Sequence, residues 1–271
     1  MPRHDTAYIV YDTESVVDGA LLSRTLYPQD DLDPDAAVTR FLEEKRDGRA
    51  DADPFLPVTF QVPVAIGVAR VGADYRLLDL KALGEDEFDP RQIVRDFWRG
   101  LGHYAGAVLV DFNGRGFDLP LLTMAAFRFG ISCPRYFHDP DRFGFRYRYT
   151  SKHIDLLDWL TEYGAFRLAG GLNLLARMLG KPGKMGTSGS DVARLHREGK
   201  LREINDYCLH DVLDTYFVFL RTRVLTGQLE LENEQTIVRE ARDWLEERSE
   251  AIPALAAYVE NFGKWQGEPF V

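Results

Sequence analysis

Two neighbouring acidic residues are the first groups in the chain whose type and spacing could do chemistry. Asp12 and Glu14 follow residues 7–11, a run of β-branched and aromatic side chains that predicts a buried strand. Because alternate residues of a strand face the same side, both carboxylates are expected on one face. Adjacent carboxylates repel each other unless a cation lies between them. The pair therefore suggests a metal site, although acids fill 43 of 271 positions and chance pairs are common.

Two further acids have a less specific setting. Asp118 ends the segment 113–118, Asn-Gly-Arg-Gly-Phe-Asp, after an apolar run at 107–112 that predicts a central strand. Ligands bind at such strand-to-helix junctions, but an Asp there is equally suited to capping the next helix. Asp211 comes four residues after Tyr207 in a predicted helix, so the two share a helix face. Taken alone, this second pair is explained more simply by a surface Asp beside a packed Tyr.

The elements that must position these acids follow an α/β pattern. Three strands, a helix and a further strand precede a mainly helical second half, which predicts a mixed sheet flanked by helices. Strands are predicted at 7–11, 58–71, 75–80 and 107–112, and helices at 35–46, 90–101, 119–129 and over most of the chain beyond 154. An apolar stripe in the last third, interpreted as core packing, consists of Ile237, Ala241, Trp244 and Leu245.

Composition limits the class of protein. The 271 residues, 45% hydrophobic and 28% charged, suffice for one large domain with helical additions. A formal net charge of −10 disfavours a general nucleic-acid coating protein and suits an enzyme that holds cations and contacts phosphate only locally. No run approaches the ~20 apolar residues of a membrane span, and residues 1–6 are polar, so a cytoplasmic protein is expected. Cys133 and Cys208 are isolated and are expected to be reduced.

Two segments leave alternatives open. Residues 15–53 are rich in Asp and Pro, and a solvated loop around the short helix is preferred over a lid or a partner-binding segment. Residues 142–149 alternate aromatic and mostly basic side chains, which predicts a strand with rings on one face and arginines on the other. Such a strand could hold single-stranded nucleic acid by stacking and charge. Packing of the rings in the core is the preferred interpretation.

In their order along the chain, the three acidic motifs resemble those of the DnaQ-like superfamily of 3′–5′ exonucleases. The resemblance is strongest to the proofreading domain of family B DNA polymerases and to the stand-alone bacterial proteins related to that domain. It extends from Tyr8 to about Leu220 and includes the segments 171–176 and 180–184. It implies a ribonuclease-H-like α/β fold, with a five-stranded mixed sheet flanked by helices and a helical C-terminal part.

The resemblance also implies how the chain is organised and which subtype it is. One exonuclease domain is expected over residues 1–271, with a core at about 7–224 and a helical extension at about 228–271. Members of the histidine type would carry His five positions before the last acid, where this chain has Asp206. Tyr207 therefore indicates the tyrosine type, in which this residue would orient the attacking water.

Two divalent cations, Mg²⁺ or Mn²⁺, are the cofactors that the resemblance implies, and hard oxygen ligands suit both ions. Asp12 would bridge the two ions. Glu14 and Asp211 would complete the site that generates hydroxide, and Asp118 would hold the second ion through water. Asp155 resembles an acid between the second and third motifs of relatives, which is usually structural or lies in the outer shell of the metal site.

Substrate contacts are expected from five other residues. Thr13, Asn113 and Phe117 belong to the motifs themselves. Lys181 and Lys184 lie in a Gly/Pro loop, and one of them would contact phosphate as a lysine does in the family B proofreading domains. Two solvated lysines are the alternative.

The expected substrate is the 3′ end of single-stranded nucleic acid, DNA in preference to RNA, without a membrane partner. The nearest alternative is an exoribonuclease that uses the same residues, because no group that would contact a 2′-hydroxyl is evident. A non-catalytic nucleic-acid-binding or scaffold protein would be expected to lack at least one of the acids, and none is missing. A third alternative is a proofreading subunit that acts with a replication or repair partner.

Overall fold

A five-stranded mixed sheet lies at the centre of the fold, with the strand order β3-β2-β1-β4-β5. The computed structural model describes residues 6–46, 56–85, 87–138, 144–186 and 189–265. The strands are β1 (Thr6–Val17), β2 (Gln61–Gly72), β3 (Leu77–Ala82), β4 (Val108–Asp111) and β5 (His153–Asp155). β1, β4 and β5 run parallel, whereas β2 pairs antiparallel with both β1 and β3. Strands β1, β3, β4 and β5 therefore all end at the same edge of the sheet, and β2 begins there.

Helices cover both faces of this sheet and make up the C-terminal part, so the expected ribonuclease-H-like architecture is confirmed. They are α1 (Gly19–Leu26), α2 (Pro34–Arg46), α3 (Pro90–His103), α4 (Asp118–Phe129), α5 (Pro134–Phe137), α6 (Leu156–Leu160), α7 (Gly171–Met178), α8 (Gly189–Arg197), α9 (Leu201–Leu225), α10 (Leu231–Arg248) and α11 (Pro253–Glu260). Within the described ranges, no helix is both long enough and apolar enough to cross a bilayer.

Strand β1 divides the core into two parts through its alternating side chains. Ile9 and Tyr11 pack with α3 and α4 on one face, whereas Val10 packs with α9 on the other. The same alternation continues to the end of the strand. It directs Asp12 towards α9 and Thr13 towards α4.

The long helix α9 is buried along most of its length against β1, β2 and β3. It approaches β2 closely at Gly67, whose backbone N–H donates to the Cys208 sulfur at 3.1 Å. A Cβ at position 67 would lie 2.9 Å from Val212 Cγ2 and 3.2 Å from Cys208 Sγ, so only glycine fits there without a shift. The C-terminal helices α10 and α11 pack on the outer side of α9, and the predicted apolar stripe on α10 lies in this core.

The segment after Glu14 differs from the expected solvated loop. β1 continues to Val17, and α1 and α2 then pack against each other through a small core of Leu22, Tyr27, Ala37 and Phe41. The predicted helix 35–46 corresponds to α2. The loop interpretation is wrong for residues 15–17, which continue β1, and for residues 19–26, which form α1 and bury Leu22, whereas residues 27–33 are a loop. Residues 47–55 lie outside the described ranges.

The predicted strand at 142–149 is also wrong. Residues 144–150 form successive turns, and residues 142 and 143 lie outside the described ranges. Phe145 is fully buried in the core, whereas Tyr147 is 43% and Tyr149 59% exposed, so the rings do not share one face. The fifth strand is β5, three residues further along the chain.

Substitution Gly67→Ala is expected to lower the free energy of unfolding by about 1–3 kcal/mol, because the added methyl group overpacks the contact between β2 and α9. Urea unfolding of the two proteins measures the difference. Gly100→Ala in α3 is the matched control, since a Cβ there meets nothing within 4 Å. That control should be neutral or stabilising by up to ~1 kcal/mol. Equal losses in both variants would contradict the close-approach argument.

Candidate active site

Three carboxylates converge where the end of β1 meets the middle of α9. One oxygen each from Asp12, Glu14 and Asp211 lies within 4.8 Å of the other two. The pleat of β1 points the first two towards α9, and α9 crosses the sheet so that the third faces them. The sequence prediction that these side chains are neighbours therefore agrees with the geometry.

Cys208, one helical turn before Asp211, contacts the base of this cluster. Its Sγ lies 3.4 Å from the Asp12 carbonyl oxygen and 3.7 Å from Asp12 Oδ2, and it also accepts the Gly67 N–H. The thiol thus joins α9 to β1 and β2 at the point where the carboxylates meet. This role is not evident from the sequence, because the contact joins residues 196 positions apart.

The cluster is electrostatically unfavourable without a cation. Burial, together with repulsion from the neighbouring acids, raises the pKa of Asp12 and Glu14 well above the usual values. Burial likewise raises the pKa of Asp211 to about 6, although a hydrogen bond from Tyr207 and the charge of Lys184 oppose this shift. Three acids that are forced together in this way are strong candidates for cation ligands.

Tyr207 lies one helical turn from Asp211, and its hydroxyl donates a hydrogen bond to that carboxylate. Burial and the negative charges of Asp211 and Glu14 raise the pKa of the phenol. The hydroxyl therefore stays protonated and able to donate. This is the pairing that the i, i+4 spacing predicted.

Asp118 approaches from the other side of β1, at the first turn of α4. Its Oδ1 accepts a hydrogen bond from the Thr13 hydroxyl at 2.5 Å. Burial and the charge of Asp111 raise its pKa to about 7. Its charge in turn raises the pKa of Asp12, which makes it an electrostatic neighbour of the cluster. The helix-cap alternative is not supported, because the residue before α4 is Phe117 and no side chain caps this helix.

Asp155 holds the loop 112–118 that carries Asp118. Its carboxylate accepts the N–H groups of Asn113 at 2.9 Å and Arg115 at 3.0 Å. It also caps α6 through the N–H groups of two residues in that helix. Asn113 has a φ of 69°, so this turn requires a left-handed residue for which Asn is well suited. Asp155 thus has the structural role that the sequence predicted.

Asp111 supports the same loop from inside the core. It accepts hydrogen bonds from the Tyr11 hydroxyl at 2.7 Å and the Gly114 N–H at 3.0 Å, and it lies 2.6 Å from His153 Nε2. This role of Asp111 was not predicted, because the residue lies within the apolar run 107–112 that predicts a strand. An acid inside such a run is a signal that could have identified it, since buried acids need partners.

A cavity of about 230 Å³ opens beside the cluster. Its wall includes Asp12, Tyr207, Asp211, Lys184, Asp214 and residues 170–173. Asp214, which the sequence analysis did not identify, accepts a hydrogen bond from the Tyr258 hydroxyl at 2.7 Å, and burial raises its pKa to about 7. Its i+3 position after Asp211 was the available signal.

The two candidate lysines occupy different environments. Lys184 is exposed at the cavity wall, and its charge lowers the pKa of both Asp211 and Glu14. Lys181, in contrast, is only 4% exposed, and its ammonium lies 3.9 Å from the ring centre of Phe262. Burial lowers its pKa to about 8. The structure therefore does not place Lys181 where it could contact a phosphate at the cavity.

The remaining predicted contact residues border the cluster without joining it. Thr13 is buried against Asp118. Asn113 is exposed on the loop, and Phe117 is half-buried directly before α4.

A match to one known family agrees with this fold and site. Residues 53–262 match the family described as a predicted 3′–5′ exonuclease related to the exonuclease domain of PolB, and the chain belongs to that family. The matched range contains Asp118, Tyr207 and Asp211 and begins after Asp12 and Glu14. No curated protein matches the chain.

The donor set of the cluster fits a divalent cation. It consists of carboxylate oxygens alone, which suit hard ions. Burial and mutual repulsion raise the pKa of Asp12 and Glu14, so a bound cation would stabilise their charged forms. Asp12, Glu14 and Asp211 could therefore hold a metal ion.

These raised pKa values predict how the metal-free protein responds to pH. Between about pH 4 and pH 7 the folded state binds more protons than the unfolded chain, so the free energy of unfolding should fall as pH rises. Asp12→Asn removes one repelling charge and should raise that free energy near neutral pH by about 1–3 kcal/mol. It should also diminish the stabilisation that Mn²⁺ provides.

Thermal unfolding in chelator and in Mn²⁺ measures both effects. Asp243→Asn is the matched control. Asp243 is exposed on α10, and its substitution removes the same charge far from the cluster. An Asp12→Asn protein that is less stable than the parent in chelator, or equally stabilised by Mn²⁺, would contradict the assignment.

Proposed function

We propose that this protein is a metal-dependent 3′–5′ exonuclease that hydrolyses phosphodiester bonds at the 3′ end of single-stranded nucleic acid, DNA in preference to RNA. The observation that carries the proposal is the convergence of Asp12, Glu14 and Asp211 within 4.8 Å of one another in a chain of this exonuclease family. The whole chain would act as one domain, because α10 and α11 share the core of α9.

Four carboxylates would hold the cofactor. Asp12, Glu14 and Asp211 are the ligands supported by their mutual distances, and Asp118 would contribute from the far side of β1. Two Mg²⁺ or Mn²⁺ ions, when bound, would supply an activated water and stabilise the leaving oxygen. Thr13 would keep the Asp118 carboxylate oriented.

The remaining residues of the site would orient the reactants. The Tyr207 hydroxyl, held at Asp211, would position the attacking water, and Lys184 would receive a phosphate at the cavity wall. Asn113 and Phe117 would contact the terminal nucleotide from the loop. The cavity of about 230 Å³ beside the carboxylates would receive the terminal nucleotide of a single strand.

Asp12→Ala and Asp211→Ala are each expected to reduce cleavage to the uncatalysed background, because each removes a ligand of the proposed metal site. Tyr207→Phe should be milder and slow the reaction about 10–100-fold, since it removes only a supporting hydrogen bond. The measurement is the length distribution of 5′-labelled single-stranded DNA and RNA in Mg²⁺, Mn²⁺ or chelator.

Circular dichroism must show that the variants are folded. Metal-dependent shortening from the 3′ end, absent in both Ala variants, would support the proposal. The strand that is cleaved faster would show whether DNA or RNA is the preferred substrate. Full activity in a folded Asp12→Ala or Asp211→Ala protein would refute the site. A ladder that starts at the 5′ end would refute the polarity.

Lys184→Ala is expected to raise KM about tenfold, because it removes one contact with a phosphate. The slope of log KM against log salt concentration should also decrease by about one, which a loss of metal affinity would not produce. Lys200→Ala, another exposed lysine, is the matched control. Lys181→Met should leave KM and its salt slope unaltered, because Lys181 is buried against Phe262 and is not one of the residues that line the cavity. A Lys181→Met protein that behaves like Lys184→Ala would reverse the assignment.

A further inference from the structure

Arg223 near the end of α9 is a buried cation without a carboxylate partner. Its side chain lies among rings, 5.0 Å from the centre of Phe219 and 6.0 Å from that of Trp159, and the residue is 7% exposed. Its hydrogen-bond acceptors are neutral: the Thr222 hydroxyl and the Gln228 amide oxygen. None of the acids in the described ranges forms an ion pair with it. Buried guanidinium groups are normally paired, so this one indicates a missing anion.

A cavity of about 360 Å³ leads to Arg223 along the edge of the sheet at β5. Aromatic side chains of Tyr149, Trp159 and Tyr163 form part of its wall. The rings of Tyr149 and Tyr163 lie 4.7 Å apart, and these residues are 59% and 41% exposed. Exposed rings beside a cation are the combination that holds single-stranded nucleic acid, since every base can stack.

The acids at this cavity are already engaged by other groups. Asp158 pairs with Arg148 at 2.9 Å and lies 4.0 Å from Arg115. Asp155 accepts four backbone N–H groups. Neither carboxylate neutralises the charge of Arg223, so the part of the cavity at Arg223 keeps a positive charge.

The cavity reaches the loop that carries Asp118, because Arg115 of that loop is one of its wall residues. Arg223, another wall residue, is twelve residues after Asp211 on the same helix, a distance of about 18 Å along the helix axis. At ~3.4 Å per stacked nucleotide this corresponds to about five nucleotides.

We propose that this cavity is a second subsite for the substrate strand, in which Arg223 binds a backbone phosphate several nucleotides from the cleaved end while Tyr149 and Tyr163 stack on bases. The inference rests on the proposed exonuclease function. It adds a substrate property to that function: strands long enough to reach Arg223 are bound better than shorter ones.

The test compares single strands of about three and about ten nucleotides. For the parent protein, kcat/KM should be higher for the long strand. Arg223→Met should lower the ratio of kcat/KM for the long strand to kcat/KM for the short strand about tenfold, mainly by raising KM for the long strand. The double variant Tyr149→Ala/Tyr163→Ala should do the same, and because both residues are exposed it remains informative if Arg223→Met does not fold. Arg99→Met and Phe127→Ala, an exposed cation and an exposed ring elsewhere, are the matched controls.

Binding in chelator separates failure of this inference from failure of the proposed function. Fluorescence anisotropy of labelled strands should show tighter binding of the long strand, lost in the Arg223→Met or double-tyrosine protein, even if nothing is cleaved. Equal effects on both lengths, or none, would overturn the subsite. A mononucleotide that competes as well as the long strand would also overturn it, since the cavity would then be a free-nucleotide site.

Discussion

Repulsion among closely spaced carboxylates is the constraint on which the rest of this structure depends. Asp12, Glu14 and Asp211 would separate if the fold allowed it, because burial and proximity both favour protonation over charge. The pleat of β1 and the docking of α9 prevent this separation. That docking relies on the close approach at Gly67 and on an extensive core around α9, to which the C-terminal helices contribute. The hydrophobic core thus opposes the electrostatic strain of the site.

Hydrogen-bond partners distinguish the acids that hold the fold together from those available to a ligand. Asp111 and Asp155 are also buried, but N–H and O–H donors surround them, so they anchor the loop before α4. Among the described residues, the acids between β1 and α9 have fewer such donors: Asp211 has the Tyr207 hydroxyl, and Asp12 has the thiol of Cys208. A carboxylate that accepts several hydrogen bonds has a structural role. A carboxylate that faces other carboxylates lacks a counter-charge, and a bound cation would stabilise it.

Local periodicity explains which features the sequence could predict. The i, i+2 spacing in β1 and the i, i+4 spacing in α9 each place two side chains on one face, and the structure agrees at both. The alternation of aromatic and basic residues at 142–149 led to a wrong strand prediction, because a single turn residue such as Phe145 can be buried without any strand. Lys181 lies three residues from Lys184, and its long-range contacts with Phe217 and Phe262 separate the environments of the two lysines. Contacts between distant segments are what one sequence does not reveal.

The acidic character of the chain is compatible with a polyanionic substrate. Charges further apart than about 8 Å are largely screened at physiological ionic strength, so the net charge of −10 matters less than the cations beside the substrate path. Lys184 lies at the cavity of the carboxylate cluster, and Arg223 lies about 18 Å further along α9. In the proposed exonuclease, attraction limited to these points would guide a strand without holding nucleic acid over the whole surface. Such weak, local attraction would also favour release of the strand after cleavage.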